Sequence, residues 1–439
     1  MARRIPIEEH VEAISMPENL SIGMMISEQR RSCRLQACPF EYYGFAFGQS
    51  PFHVPPPLVE ALGESAEEGE YSEAEGIPEV REAIANFNRR HFSLDVEASR
   101  VFIGPGTKDL IHLIFDTVQG DVVIPSPSWI GYSPIITLLD KGFHTLHTDP
   151  ENGYRIDPDD LSAFLSTLPS ENRMMVLNNP HNPTGILYSE RELKQIAEVC
   201  KDHDTLILAD EIYGLTTYDV DRFRSMGNIY PEGTFVTSGL SKAWSAGGYR
   251  FGYCILPDEH PEELFEAFRK VAGTVYTNVS TPTQHAAVKA FEPNEEIEAY
   301  FRITRDIHKM MGSYLSREFS DIDGLEATTP EGSFYFFLDF NQIADSLREK
   351  GVSTSNELSR SLISHPHHVA AVTGDACLLE PDDFGARIAF VDYDGKAAFQ
   401  AYREERPGPR SEEDFVHRSA PRMVRGVEAT RKYVEEVTS

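Results

Sequence analysis

From Val101 onward the chain alternates short apolar runs with longer amphipathic stretches. Val101–Ile103, Asp121–Ile124, Met174–Leu177, Thr205–Ala209, Thr234–Thr237 and Arg250–Leu256 are apolar enough to be strands. Helical patterns such as Lys108–Val118 and Glu190–His203 separate them. Strands spaced by helices of that length predict a mostly parallel sheet covered on both faces. Ligands of such sheets bind beyond the carboxyl ends of the strands. Upstream, residues 1–47 read as an arm whose Glu41–Phe47 stretch is aromatic and strand-like, and the proline-dense Gly48–Pro57 can only be an extended loop. Leu58–Ala66 and Ile77–Phe87 read as helices, the second with Pro78 in its first turn. Downstream, Glu262–Ala272 and Pro282–Phe291 look helical, and Asn294–Phe319 is a long amphipathic helix able to join two domains. Beyond about Ser320, strands at Ser333–Asp339 and Arg387–Val391 mix with helices, the last over Ala420–Val437. Arg403–Asp414 is polar and broken by proline, and reads as a loop or insertion. The expected division is an arm and part of a small domain (1–50), a large domain (51–310) and a C-terminal small domain (311–439) of α+β type.

Charge narrows the partners. Lys and Arg number 40 against 70 Asp and Glu, a formal net charge of −30 over 439 residues. That balance argues against nucleic acid or an anionic membrane as the main partner, and an anionic ligand needs a local nest of cations. Arg30, Arg31 and Arg34 give the arm local positive charge. The 5 cysteines are scattered and show neither a zinc spacing nor a disulfide framework; Cys33 and Cys38 are expected to be free. No metal site is expected. The first residues lack the apolar core of a signal peptide, and no apolar run reaches membrane-spanning length, so a soluble cytoplasmic protein is expected.

The candidate chemistry clusters after the strands. Thr237–Gly252 holds one lysine, Lys242, among small residues, with Arg250 shortly downstream. A partly desolvated lysine amine becomes nucleophilic and suits a Schiff base with an aldehyde, and Arg250 could grip an anionic group on the same ligand. The bland reading is a Gly/Ser surface loop. Gly104–Lys108 follows a strand and opens a helix, so its backbone N–H groups and the Thr107 hydroxyl can make an anion site, though such turns are often only structural. Trp129 follows the next strand and is either a core ring or one stacked on a planar cofactor. Asn178–Gly185 carries two prolines and a glycine, a loop of fixed shape that presents Asn182. Asp210 and Tyr213 end the strand after that. Asp210 is either a helix N-cap or a carboxylate that keeps a heterocyclic nitrogen protonated. His53 and His181 are expected to be solvated loop histidines. The aromatics Tyr42, Tyr43, Phe45, Phe52, Trp129 and Tyr132 could favour an apolar substrate, or could be packing.

Together these pieces resemble the class I/II aminotransferases, the fold-type-I pyridoxal 5′-phosphate (PLP) enzymes. The motifs stand in order: Tyr71, Gly76–Arg81, Gly106-Thr-Lys108, Pro127-Ser-Trp129, Asn179–Gly185, Asp210-Glu-Ile-Tyr213, Ser241-Lys242, Arg250 and Gly385–Ala389. They span about residues 40 to 400. The resemblance implies a large domain with a mostly parallel, seven-stranded type of sheet between helices. It implies a ping-pong transfer of an amino group from an L-amino acid to a 2-oxo acid through the pyridoxamine form of PLP, in a homodimer with shared sites. Lys242 would be the Schiff-base lysine and proton carrier, Asp210 the partner of the ring nitrogen, and Tyr213 and Asn182 donors to the ring oxygen. Trp129 would stack on the ring. Gly106, Thr107, Lys108, Ser241 and Arg250 would cradle the phosphate, with Tyr71 and the Ser280–Thr281 pair reaching in from the neighbouring subunit. Arg387, helped by Asn182 and the Gly48 backbone, would bind the substrate carboxylate.

Three departures stand out. Gly239, three before Lys242, replaces a common serine, so one phosphate ligand is absent or supplied by Ser238. Gly48–Phe52 alters the loop on the substrate side, and 402–421 is long and charged. The same residues would also serve decarboxylation, β/γ-elimination or cyclisation, or an oxygen-dependent oxidation, and a PLP-binding protein without turnover is the remaining alternative.

Overall fold

The computed structural model describes residues 5–14, 16, 18, 20–24, 26, 27, 41–170, 172–258, 262–364, 366–408 and 410–439. Arg30, Arg31, Arg34, Cys33 and Cys38 lie outside them. Its centre is a seven-stranded sheet built from β1 (Val101–Gly104), β2 (Asp121–Ser126), β3 (Phe143–His147), β4 (Arg173–Asn178), β5 (Thr205–Asp210), β6 (Thr234–Gly239) and β7 (Gly252–Ile255), in spatial order β1-β7-β6-β5-β4-β2-β3. Every neighbouring pair is parallel except the two that involve β7, which runs antiparallel to both β1 and β6. The expected mostly parallel sheet is therefore present.

Alternation along the strands buries both faces. Val123, Met175, Leu177, Ile207, Ala209 and Val236 point into one core with Leu193, Ile196 and Ala197 of the helix Glu190–Asp202. Val122, Ile124, Met174, Val176, Leu208 and Phe235 point into the other, against Leu110, Ile111 and Ile114 of Thr107–Thr117 and Phe265 and Phe268 of Glu262–Val275. Period-2 alternation that is apolar on both sides is what a parallel sheet between helix layers requires. Helix starts are set locally. Ser189 and Glu192 form a capping box, Asn294 accepts from the N–H groups of Glu296 and Ile297, and Pro78 opens Pro78–Phe92.

The helix Glu295–Ser320 leads to a four-stranded antiparallel sheet of β8 (Glu326–Ala327), β9 (Tyr335–Asp339), β10 (Val372–Thr373) and β11 (Gly385–Ala389), in order β10-β11-β9-β8. The strand-like stretch of the arm narrows to Tyr43–Gly44, which pairs in parallel with Val369–Ala370. Arg403–Asp414 is not one loop. Arg403–Glu405 ends the helix Gly395–Glu405, which stops at Arg406 in a left-handed conformation before Pro407, and Glu412–Asp414 opens the helix Glu412–Ser419. Acidic residues in a first turn complement the helix dipole, which a reading by polarity alone overlooks. Among the described residues no helix is long and apolar enough to cross a membrane.

Candidate active site

Thr107, Lys108, Asn182, Asp210, Lys242 and Arg250 leave the seven-stranded sheet at one edge, whereas Arg387 comes from the four-stranded sheet. Asp210 is the last residue of β5, paired in register with Asn178 of β4 and Thr237 of β6. Lys242 follows β6 after two residues, Leu240 and Ser241. Arg250 precedes β7 rather than following it, and reaches the same edge because β7 is the antiparallel strand.

At β1 the backbone turns at Gly106 (φ +97°) into the helix Thr107–Thr117. The turn is closed by Arg250, whose Nη2 donates to the Pro105 carbonyl at 3.1 Å and Nη1 to that of Gly247 at 2.8 Å. A Cβ on Gly106 would lie 2.3 Å from Arg250 Nη2, and one on Gly252 would lie 2.6 Å from the Thr107 nitrogen, so both glycines are required by close approach. The Lys108 ammonium sits 5.3 Å from the Trp129 ring centre. Its pKa is held below the usual lysine value by burial first and then by Arg250 and Lys242. Arg250 and Lys108 at a helix N-terminus, with Lys242 in electrostatic range, make the local cationic nest that the acidic balance calls for.

Asp210 is 5 % exposed. It accepts from the Tyr132 hydroxyl at 2.7 Å and, at 3.5 Å, from Thr237 Oγ1. Burial raises its pKa and these donors oppose the shift. Asn178 Nδ2 donates to the Asp210 carbonyl while its Oδ1 accepts the Asn182 N–H, tying the β4 loop to β5. His181 is buried, not solvated. Its Nδ1 lies 2.7 Å from Thr184 Oγ1, its backbone N–H and carbonyl close the loop onto Ile186 and Gly185, and desolvation lowers its pKa to about 4. The fixed loop turns it inward. His53 is exposed.

Lys242 Nζ donates to the Gly48 carbonyl at 2.8 Å and lies 5.5 Å and 5.3 Å from the rings of Tyr213 and Phe334. Tyr335, which alternation along Ser333–Asp339 makes look like ordinary core, is the residue sequence reasoning missed. Its hydroxyl contacts the Tyr213 hydroxyl at 3.2 Å and the Gly48 carbonyl at 3.3 Å, and its ring lies 4.8 Å beneath the Arg387 guanidinium. Arg387 is 3 % exposed; it donates to the Ala46 carbonyl at 2.7 Å and to Asn182 Oδ1 at 3.4 Å, and its Nε has no partner. Among the described residues no carboxylate forms an ion pair with it.

The departure at Gly239 has a structural reason. A Cβ there would lie 2.6 Å from the Phe251 carbonyl oxygen. Ser238 cannot substitute, because the strand alternates and its hydroxyl faces Tyr253 instead. Tyr71 and Ser280 stand apart from the cluster. Tyr71 is 87 % exposed on a loop held by Thr281, which donates to the Glu70 carbonyl, and by Gln284, which donates to Ser72. Ser241 is half-buried in the Lys242 turn. Of the pocket aromatics, Tyr42, Phe45 and Phe52 are buried in packing.

A lysine, a buried carboxylate and two cations at a helix N-terminus are gathered at one sheet edge. The chain belongs to the aminotransferase class I and II family, whose model matches residues 41–392. That family transfers amino groups between amino acids and oxo acids and uses PLP. The chain is 29 % identical over 361 residues to the asparagine–oxo-acid transaminase of Streptococcus mutans (80 % of this chain, 88 % of the relative). It is 27 % identical over 380 residues to the aspartate aminotransferase of Bacillus subtilis (84 % and 91 %). In three dimensions it is similar to the aspartate aminotransferase of Thermus thermophilus with maleate, at a TM-score of 0.80 and 23 % identity, covering 98 % of this chain and all of that one.

Proposed function

We propose that the chain is a ping-pong aminotransferase in which Arg387 binds the α-carboxylate of the amino or 2-oxo acid and Lys242 carries the proton to and from the reacting carbon. The buried Arg387 carries this reading. A guanidinium with a spare Nε donor and no anionic partner is costly to bury, and an incoming carboxylate would relieve it. Through the Tyr335 ring and hydroxyl it is linked to Gly48, the acceptor of Lys242 Nζ.

The residues present also fit PLP. Thr107, Lys108, Ser241, Arg250 and the helix N-terminus would hold the phosphate, with Gly106 and Gly252 letting Arg250 and the Thr107 backbone approach closely. Asp210 would pair with the ring nitrogen, a partner that favours its ionised form against the desolvation that raises its pKa. Trp129 would cover the ring, Tyr213 and Asn182 would donate to its oxygen, and Lys242 would bond to its aldehyde. Bound there, the cofactor supplies an electron sink for the carbon that loses its proton. Tyr71 and the Ser280–Thr281 pair, on one surface away from the cluster, would serve the site of a second copy in a homodimer. The division into 1–50, 51–310 and 311–439 belongs to the same reading. The names of the relatives favour aspartate or asparagine as donor.

The test is direct. With PLP, L-aspartate and 2-oxoglutarate, the purified protein is expected to form oxaloacetate and glutamate, and Lys242→Ala to form none. Cofactor-loaded protein that transfers no amino group from aspartate, asparagine or an aromatic donor would overturn the proposal.

A further inference from the structure

A second cavity lies behind the Lys242 loop, between the helices Glu295–Ser320 and Gly395–Glu405 and the 52–56 segment. Its volume is about 320 Å³. Each helix turns one stripe toward it. Glu296, Tyr300 and Ile303 lie at i, i+4 and i+7 on the first, and Lys396, Phe399 and Arg403 at i, i+3 and i+7 on the second. Inside, the walls are aromatic: Phe399 is 5.5 Å from Tyr300 and 6.3 Å from Phe52 by ring centres. Lys396 and Arg403 are exposed and form no ion pair among the described residues. In a chain of net charge −30, two unpaired cations beside an aromatic cavity are local charge complementarity for an acid.

The cavity wall is also wired to the active site. The Tyr300 hydroxyl donates to the His53 carbonyl at 2.7 Å, so its contact with Ser245 Oγ, also 2.7 Å, must have Ser245 as donor. Ser245 Oγ must then accept from Ser50 Oγ, which in turn accepts the Phe52 N–H. Each hydroxyl has one proton, so only one direction satisfies the chain. It meets Lys242 twice. The Ser245 N–H donates to the Lys242 carbonyl at 3.0 Å, and Ser50 lies two residues from Gly48, the acceptor of Lys242 Nζ.

We propose that this cavity is a second ligand site, for a flat apolar ring bearing a carboxylate, whose occupancy reaches Lys242 through Tyr300 and Ser245. The ring fills the Phe52–Tyr300–Phe399 walls, and the carboxylate meets Lys396 and Arg403 at the rim. Glu296, on the opposite rim, makes an α-ammonium group on the ligand an added contact. The site stands on the cavity and its charges; only its effect on turnover rests on the proposed transamination.

The probe is 3-phenylpropionate, which has neither an amino nor an oxo group and cannot turn over, with L-phenylalanine as the amino-bearing counterpart. Calorimetry on the holoenzyme is expected to show binding that weakens about tenfold in Lys396→Ala/Arg403→Ala, as for two partly exposed ion pairs. Both positions lie on the surface outside the active site, so the variant keeps its basal kcat. Filling the cavity with Ile303→Trp is expected to remove the same binding. 3-Phenylpropionate is expected to change kcat at saturating amino donor, and Tyr300→Phe to keep binding within threefold while losing that change. Glu296→Gln should weaken L-phenylalanine and leave 3-phenylpropionate unaffected. Binding that is purely competitive with the amino donor and indifferent to the rim variant would put the acid on Arg387 and overturn the site. Rim-dependent binding with no effect on kcat would overturn the coupling. Basal activity lost in the wild type, with rim-dependent binding intact, would count against transamination alone.

Discussion

Gly239→Ser places a hydroxyl three residues before Lys242, beside the expected phosphate site, and it is expected to weaken cofactor binding. The new Cβ would stand 2.6 Å from the Phe251 carbonyl oxygen and 2.8 Å from the Gly252 Cα. An ordinary C···O approach is roughly 3.3 Å, so about 0.7 Å of separation must come from backbone. That backbone is a ladder: Gly239 pairs with Gly252, and the Leu240 N–H donates to the Phe251 carbonyl at 3.2 Å. Overpacking of this kind destabilises by about 1–3 kcal/mol. With an unfolding entropy near 2 cal/mol/K per residue, the corresponding fall in Tm is roughly 1–3 °C for a chain of this length. Phe251 is bonded to Arg250, so opening the ladder also draws the guanidinium from Pro105 and Gly247. A well-placed hydroxyl on a charged phosphate would contribute about 1.5–3 kcal/mol, a gain of roughly tenfold or more in affinity. The expected result is instead a loss of about tenfold. Titration of cofactor-free protein with PLP, beside a melting curve, decides it. Gly239→Ala, with the same Cβ and no oxygen, should lose the same stability. Tenfold tighter binding by Gly239→Ser with unchanged Tm would falsify the steric account.

Arg387→Ala should raise KM for the amino donor by about 30-fold or more, the loss of a buried charge pair, while the affinity for PLP stays the same; equal loss of PLP would assign Arg387 to the phosphate or to the fold. Tyr335→Phe removes hydroxyl contacts to Tyr213 and Gly48 and should reduce kcat/KM by about two- to tenfold with the Arg387 cation–ring contact retained. No change would mean that the hydroxyl positions nothing. Glu18 carries a pH dependence. Its carboxylate accepts from the Thr373 N–H and hydroxyl at 2.9 Å and 2.8 Å beside Asp375, with Arg387 in electrostatic range, and burial raises its pKa from 4.5 to about 7. A raised acid stabilises the fold fully below its unfolded pKa and loses that contribution as pH climbs through the folded value. Between about pH 4.5 and 7, therefore, the wild type should lose Tm relative to Glu18→Gln; a constant difference from pH 5 to pH 8 would contradict this.

Most of the site was legible because chemistry and punctuation coincide in the sequence. Asp210, Asn182 and Lys242 each follow an apolar run that ends in residues unable to continue it, so their common edge follows from sheet topology alone. Arg250 is legible as a cation near Lys242, but its reason for sharing that edge, the reversed β7, is a pairing that no local pattern encodes. Tyr335 was invisible because it alternates with Phe334 and Phe336 as any core strand would, and only the fold brings its hydroxyl to Tyr213 and Gly48. Ser50 and Ser245 are 195 residues apart, and nothing local links them. His181 misled because a loop histidine is usually solvated, while this loop is packed on itself. Phe143–His147 escaped as an edge strand, half-exposed and carrying His144, Thr145 and His147.

The reversed β7 also limits how this site can change. Lys242 and Arg250 sit on one hairpin whose feet are clasped at Gly239 and Gly252. The span between them works as a caliper: inserting or removing one residue would shift every later side chain of β7 to the opposite face, or part the arginine from the lysine. Substitutions in 243–249 can vary composition, but length is not a free variable there. The connection between the helices Gly395–Glu405 and Glu412–Ser419 joins no two strands, so its length sets no strand register. Variation in this protein should accordingly accumulate there as changes of length, and at the lysine hairpin only as changes of letter.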